Sequence, residues 1–306
     1  MKPETILAHT PKVLTQEQRQ SYFDHGYLLV ENFVSREWLD RLWGVTNRFI
    51  DESKGMNRSN GKLDLEANHS TENPRLRRLI QPVAHDPVYW EFTRSGPIVD
   101  LAEDLLGPDI KFHHSKLNFK WSGGGEEVKW HQDIQFWPHT NYSVLTIGVY
   151  LEDVDDEMGP MGVVPGSHKG ELFNQYNDKD QWVGCIDDRD VPRVDTGSAV
   201  YLKGPAGSVT IHHCRMVHGS MPNNHPSRAR PLLLQAYSSA DALPVTPHNN
   251  PSPESGAIVR GKAARWVEFD ETPCQIPPIW DGSYRSIFVV QQEEREAELA
   301  ASGAAD

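Results

Sequence analysis

From residue 108 onward the chain is written in short runs: DIKFHHSKLNFKW, SVLTIGVYLEDV, MGVVPGS, SAVYLKG, GSVTIHHCRMVHGS and RPLLLQAYSS. Each is rich in β-branched and aromatic residues, and each breaks at Gly, Pro or Asp, the signature of a strand bounded by turns. Many short strands joined by turns close into a sandwich or jelly roll, because that arrangement covers every apolar strand face. The expectation is a mainly β fold with flanking helices and a jelly-roll core over about residues 108–240.

The helices belong to the first hundred residues. Thr15 followed three positions later by Gln18 forms a capping box for a helix that stops at Gly26. YLLVENFV then reads as a strand, and Ser35 caps a second helix whose Trp38, Leu39, Leu42, Trp43, Val45 and Phe49 recur at helical spacing. PIVDLAEDLLG is a third helix, closed by Gly107. Residues 51–75 are charged and aperiodic, and read as a surface loop that orders when a ligand binds. The Pro-rich stretch 243–280 is irregular and wraps the barrel or lids it, while the polar end, 291–306, reads as a frayed tail. The whole chain, 1–306, is expected to be one domain, its helical part covering about 14–107.

Charge narrows the partners. The 43 acids outnumber the 30 bases, for a net charge of −13, which disfavours a nucleic-acid groove or an anionic membrane surface and leaves a small molecule. The three cysteines show no CxxC spacing, the first residues lack an apolar signal core, and no run is long enough to span a bilayer. A soluble, cytoplasmic protein is expected.

Among 14 histidines, His131 carries the most information. In VKWHQDIQFW, His131 and Asp133 fall on one side of an extended chain while Gln132 falls on the other. An imidazole and a carboxylate on one face supply two ligands of a 2-His-1-carboxylate triad. The third candidate is His218 in MVHGSMPNN, at the end of a late strand. An isolated HxD is weak, since such pairs arise by chance; here it is followed by MGPMGVVPGSHKGE, by HGS, and by Arg228 and Arg230 just ahead of PLLLQAY.

With those motifs in order, from LTQEQRQSYFDHGYLLVENFV through WHQD, GVVPGSHK and HGSMPNN to RPLLLQAY, the chain resembles the phytanoyl-CoA dioxygenase family over about residues 14–240. The resemblance implies a double-stranded β-helix, a cupin-like jelly roll, with Fe(II) held by His131, Asp133 and His218 and with 2-oxoglutarate and O2 as co-substrates. It implies an arginine for the far carboxylate of 2-oxoglutarate. Arg230 keeps the family register when counted back from Tyr237, and Arg228 reads as a loop charge. Ser220 matches a family serine that helps hold that carboxylate, and Gln132 matches the family HQD glutamine, although its orientation is opposite. Lys116 and Asn118 share a strand face and are placed to reach co-substrate or substrate, or else are ordinary edge polarity.

The implied reaction is hydroxylation of an unactivated C–H bond of a small molecule with release of succinate and CO2, and the presence of Asp133 favours this over halogenation. A non-catalytic metal-binding jelly-roll module and a zinc hydrolase are the alternatives; neither gives Arg230 and Ser220 a task. Gly148 stands where many relatives carry tryptophan, so Trp137 or Tyr150 is expected to close the co-substrate pocket. His113, His114, His168, His212 and His213 read as structural.

Overall fold

The computed structural model describes residues 2–123, 125–279 and 286–302. The first part contains α1 (Pro3–Leu7), α2 (Gln16–His25), β1 (Tyr27–Val30), α3 (Arg36–Lys54), β2 (Leu63–Leu65), β3 (Leu76–Ile80), α4 (Pro87–Ser95) and α5 (Ile98–Leu106). Strands β4 (Ile110–Lys120), β5 (Val128–His131), β6 (Val144–Tyr150), β7 (Met161–Val163) and β8 (Val200–Leu202) follow. After them come β9 (Val209–His213), β10 (His218–Ser220), β11 (Arg230–Ser239), β12 (Ile258–Arg260) and α6 (Ile287–Ser302). One antiparallel sheet runs β1-β9-β6-β11-β4-β3-β2 with β12 added on β4; a smaller one runs β5-β10-β7-β8. Both line one cavity, as a jelly roll requires.

Alternation divides the large sheet by chemistry. Leu117, Phe119, Ile147, Val149, Ile211 and Leu233 face the helices, where Leu39, Leu42, Val45 and Phe49 of α3 and Leu101 and Leu105 of α5 complete one apolar core. The residues between them turn inward. Register pairs Arg230 with Lys120, Leu232 with Asn118, Leu234 with Lys116 and Thr146 with His212, so these side chains share the concave face.

The helix starts match the capping reading. Thr15 Oγ1 accepts from the Gln18 amide at 3.2 Å, Gln18 Oε1 accepts from the Thr15 amide at 2.8 Å, and α2 ends at Gly26 with φ +84°. Three elements differ. The strand after Gly26 is only four residues, because Asn32 turns the chain with φ 54°. Residues 63–65 are not loop but β2, whose Leu63 and Leu65 are buried against β3. The surrounding charges hid that alternation: Arg75 pairs with Glu66 at 2.5 Å and Arg78 with Asp64 at 2.7 Å.

The third difference is at the C-terminal end, where residues 291–302 continue α6 rather than fray. Its anchor lies upstream of the polar stretch: Phe288 and Val290 are buried. Gln291 is buried as well, its amide donating to the Gly184 carbonyl and accepting from the Lys129 amide. Residues 303–306 lie outside the described residues. Among the described residues, no helix is long and apolar enough to cross a membrane.

Candidate metal and co-substrate site

β5 and β10 are paired so that His131 lies directly opposite His218. The strand ends there, and Asp133 opens a tight turn, so the expected shared side arises at a strand end rather than along a strand. Asp133 Oδ1 is 3.7 Å from His131 Nε2 and 3.8 Å from His218 Nε2. The three ligand atoms all lie within 4.8 Å of one another.

Backbone carbonyls settle the tautomers. His131 Nδ1–H donates to the Lys129 carbonyl at 2.9 Å and His218 Nδ1–H to the Met216 carbonyl at 3.0 Å, leaving both Nε2 lone pairs toward Asp133. The other carboxylate oxygen is spent: Asp133 Oδ2 accepts from Thr146 Oγ1 at 3.1 Å and His212 Nε2 at 3.2 Å. Burial pulls His131 down to about 4, against the pull of Asp133, and takes His218 well below its ordinary value. Burial alone would raise the Asp133 carboxyl, but His218, the His212 hydrogen bond and Lys116 hold it well below the usual range. Two neutral imidazoles and one ionised carboxylate, each with a lone pair free, fit a divalent iron and leave half of an octahedral shell open.

On one side of this trio lies a recess walled by Ser220, Leu232, Leu234 and Arg230. Arg230 is 3% exposed. One of its amino groups donates to the Gly159 carbonyl at 3.1 Å, its Nε has no partner, and no described carboxylate pairs with it. Arg228 is at the surface, paired with Asp155 and bonded to His225. Lys120, which the sequence reading passed over, is buried beside Arg230 and donates to the carbonyls of Ser220 and Met221, tying down the end of β10. A Cβ on Gly148 would come within 3.0 Å of Leu232 and 3.1 Å of Leu234, so these leucines occupy the space expected of Trp137 or Tyr150. Tyr150 packs behind them, and Trp137 lies elsewhere.

On the other side a cleft opens to solvent, with Arg78, Lys116, Asn118, Trp137, Ile287 and Phe288 among its walls. Lys116 and Asn118 border both spaces. Burial lowers the Lys116 ammonium, and the charge of Asp133 works against that shift.

Gln132 does not belong to the site. It is wholly buried on the far side, where its amide donates to the carbonyls of Glu171 and Arg215 and accepts from the Phe173 amide. With both amide protons and the amide oxygen engaged, it is a clamp between the loop after β7 and the turn at Arg215, not a co-substrate ligand. His113, His114 and His248 also bring three ligand atoms within 4.8 Å. His248, however, spends Nε2 on the His113 carbonyl and Nδ1 on the Asn250 amide, so it has no lone pair for a metal.

The sequence signature of the phytanoyl-CoA dioxygenase family spans residues 22–230. A probable alpha-ketoglutarate-dependent hypophosphite dioxygenase of Stutzerimonas stutzeri is 33% identical over 263 residues, covering 85% of this chain and 91% of that protein. The chain belongs to the phytanoyl-CoA dioxygenase family. As a member it is an enzyme of the 2-oxoglutarate-dependent dioxygenase class, which uses iron and O2. Within the same family, the ectoine dioxygenase of Bordetella parapertussis is 27% identical over 79% of this chain and 81% of its own length. The crystal structure of EctD from S. alaskensis with 2-oxoglutarate and 5-hydroxyectoine superposes with a TM-score of 0.66 at 20% identity, covering 90% and 94% of the two chains.

Set against this dioxygenase architecture, the sequence reading missed Thr146, Lys120, Arg78, Ile287 and Phe288. Thr146 carried a signal, as a polar residue on the inward side of an otherwise apolar strand. Arg78 and Phe288 carried none, because only long-range packing brings them to the cavity.

Proposed function

We propose that the chain acts as one oxygenase domain that hydroxylates an unactivated C–H bond of a small molecule, releasing succinate and CO2. His131, Asp133 and His218 are the iron ligands, and Arg230, with Ser220 beside it, holds the far carboxylate of 2-oxoglutarate. What carries the reading is a buried arginine that no carboxylate among the described residues neutralises, in the same cavity as a convergent His-Asp-His set. A guanidinium fork matches two carboxylate oxygens, and an unneutralised one is costly until such an anion arrives.

When bound, iron supplies the centre at which 2-oxoglutarate is oxidatively decarboxylated and O2 is put to use. The chain's own part is to aim and to enclose. The Lys129 and Met216 carbonyls fix both ligand rings, while Thr146 and His212 hold Asp133 Oδ2, which would leave Oδ1 for the ion. Phe136, Trp137, Ile287 and Phe288 give the cleft an apolar lining that limits how much water a bound substrate must share it with.

Hypophosphite and ectoine, in the names of two relatives, are free small molecules, and a third relative is named for an acyl-CoA; the first two support a free small molecule here. Three free cysteines suit the reducing cytoplasm in which we place the protein. The test is an anaerobic titration with Fe(II) and then 2-oxoglutarate, following the weak visible charge-transfer band of a chelated keto acid. It is expected in the wild type and lost or shifted in Asp133→Ala; iron binding without the band would move the assignment to a hydrolytic or merely metal-binding role.

A further inference from the structure

The cleft beyond Asp133 holds more positive charge than the chemistry just proposed consumes. Arg78 and Lys116 both wall it, and the β3–β4 register, which pairs Arg78 with Asn118 and Ile80 with Lys116, places the two cations diagonally on one face of the sheet. Arg78 has a counter-ion in Asp64, at 2.7 Å from Nη2. Lys116 has none of its own. Among the described residues its ammonium makes no hydrogen bond or ion pair, and its charged neighbours are Asp133 and Arg78. Among the described residues walling the cleft, Asp133 is the sole carboxylate.

Asp133 does not neutralise Lys116 in the working enzyme. The two charges of Fe(II) and the one on Arg230 would be balanced by Asp133 and the two carboxylates of 2-oxoglutarate, and Lys120 is held on the carbonyls of Ser220 and Met221 behind Arg230, so the cleft-facing Lys116 is left over. A half-buried ammonium and a guanidinium on one wall of the cleft repel each other unless an anion completes the set. On a chain of net charge −13, a cationic chamber is no by-product of composition.

We propose that the substrate bears an anionic oxyacid group, a carboxylate or a phosphorus oxyanion, bound by Lys116 and Arg78, with the rest of the molecule confined between Trp137 and Phe288; this rests on the dioxygenase reading of the same site. The arrangement sets that group on the β3–β4 side of the metal, across the chamber from Arg230. Two anions, co-substrate and substrate, are thereby sorted to opposite walls by two separate cations.

The experiment uses the iron-loaded, 2-oxoglutarate-bound protein without oxygen, titrated calorimetrically with acetate, phenylacetate, methylphosphonate and hypophosphite, and with acetamide and phenylacetamide as uncharged matches. The same compounds are then scored in air for stimulation of 2-oxoglutarate consumption. At least one anion is expected to bind and stimulate while the amides do neither, and comparing carboxylates with phosphorus oxyanions identifies the group. Lys116→Met should weaken that anion by roughly ten- to hundredfold, the worth of one charge-assisted hydrogen bond, and Lys116→Arg should restore part of the loss.

The proposal is overturned if no anion binds, if only uncharged compounds stimulate, or if Lys116→Met weakens 2-oxoglutarate instead of the anion. Failure of the iron-loaded wild type to bind 2-oxoglutarate at the outset would overturn both this proposal and the dioxygenase reading, and it is recorded before any anion is added.

Discussion

Arg230→Met separates the cost of an empty site from the gain of a filled one. In the folded chain the guanidinium is buried with one hydrogen bond, to the Gly159 carbonyl, and an Nε without a partner. Methionine forfeits that single charge-assisted bond, worth about 2 kcal/mol, and removes a desolvated charge whose burial costs roughly several kcal/mol. The metal-free variant is therefore expected to resist urea at least as well as the wild type, whereas most truncations of buried side chains lose stability. Affinity for 2-oxoglutarate moves the other way. Losing a charge-assisted fork to the far carboxylate removes about 3 kcal/mol, which raises Kd roughly a hundredfold. Both quantities are read on one preparation, by urea denaturation of the apo-protein and by anaerobic titration of the iron-loaded protein. A Kd within about threefold of the wild type would refute the assignment of the carboxylate to Arg230.

Other perturbations reach other links in the argument. His212→Phe removes the donor to Asp133 Oδ2 and should weaken metal binding roughly 10- to 100-fold in a chelator competition; unchanged affinity would mean that His212 does not orient Asp133. Gln132→Ala breaks three buried hydrogen bonds and should cost about 2–4 kcal/mol in denaturant titration. The folded fraction should bind 2-oxoglutarate normally, and a raised Kd would return Gln132 to the site. Phe288→Ala opens the cleft to water, so the ratio of succinate formed to substrate oxidised should rise, and an unchanged ratio would exclude a shielding role.

His139 provides a pH readout away from the metal ligands. Burial takes it from 6.5 down to about 4, so as pH falls the unfolded chain is protonated first. Its contribution is complete above about pH 6.5 and is lost toward pH 4, about 3 kcal/mol in all. His139→Gln should flatten that part of the stability curve, measured as urea midpoints between pH 7.5 and 4.5.

What could be read without coordinates followed the reach of each signal. Alternation in SKLNFKW placed Lys116 and Asn118 on one face, and the same parity carries Lys120, which the polar reading of the strand overlooked. The capping box at Thr15 and the stop at Gly26 were legible because those interactions are local. Gln132 was included for its match to the family HQD glutamine although alternation turned it the other way, and only its partners 39 and more residues away show what it clamps. The helix at 287–302 was misread because the polar stretch was judged apart from the apolar residues just before it. Arg78 and His248 reach the cavity through register and loop closure, which no short window of sequence records.

The position of α6 also orders events in time. Every proposed ligand, from His131 to Arg230, precedes it in the chain, yet Ile287 and Phe288 form part of the wall of both spaces. A chain still short of residue 287 would carry every proposed ligand while both spaces lacked that wall. In that sense α6 is the last piece of the enclosure to be made.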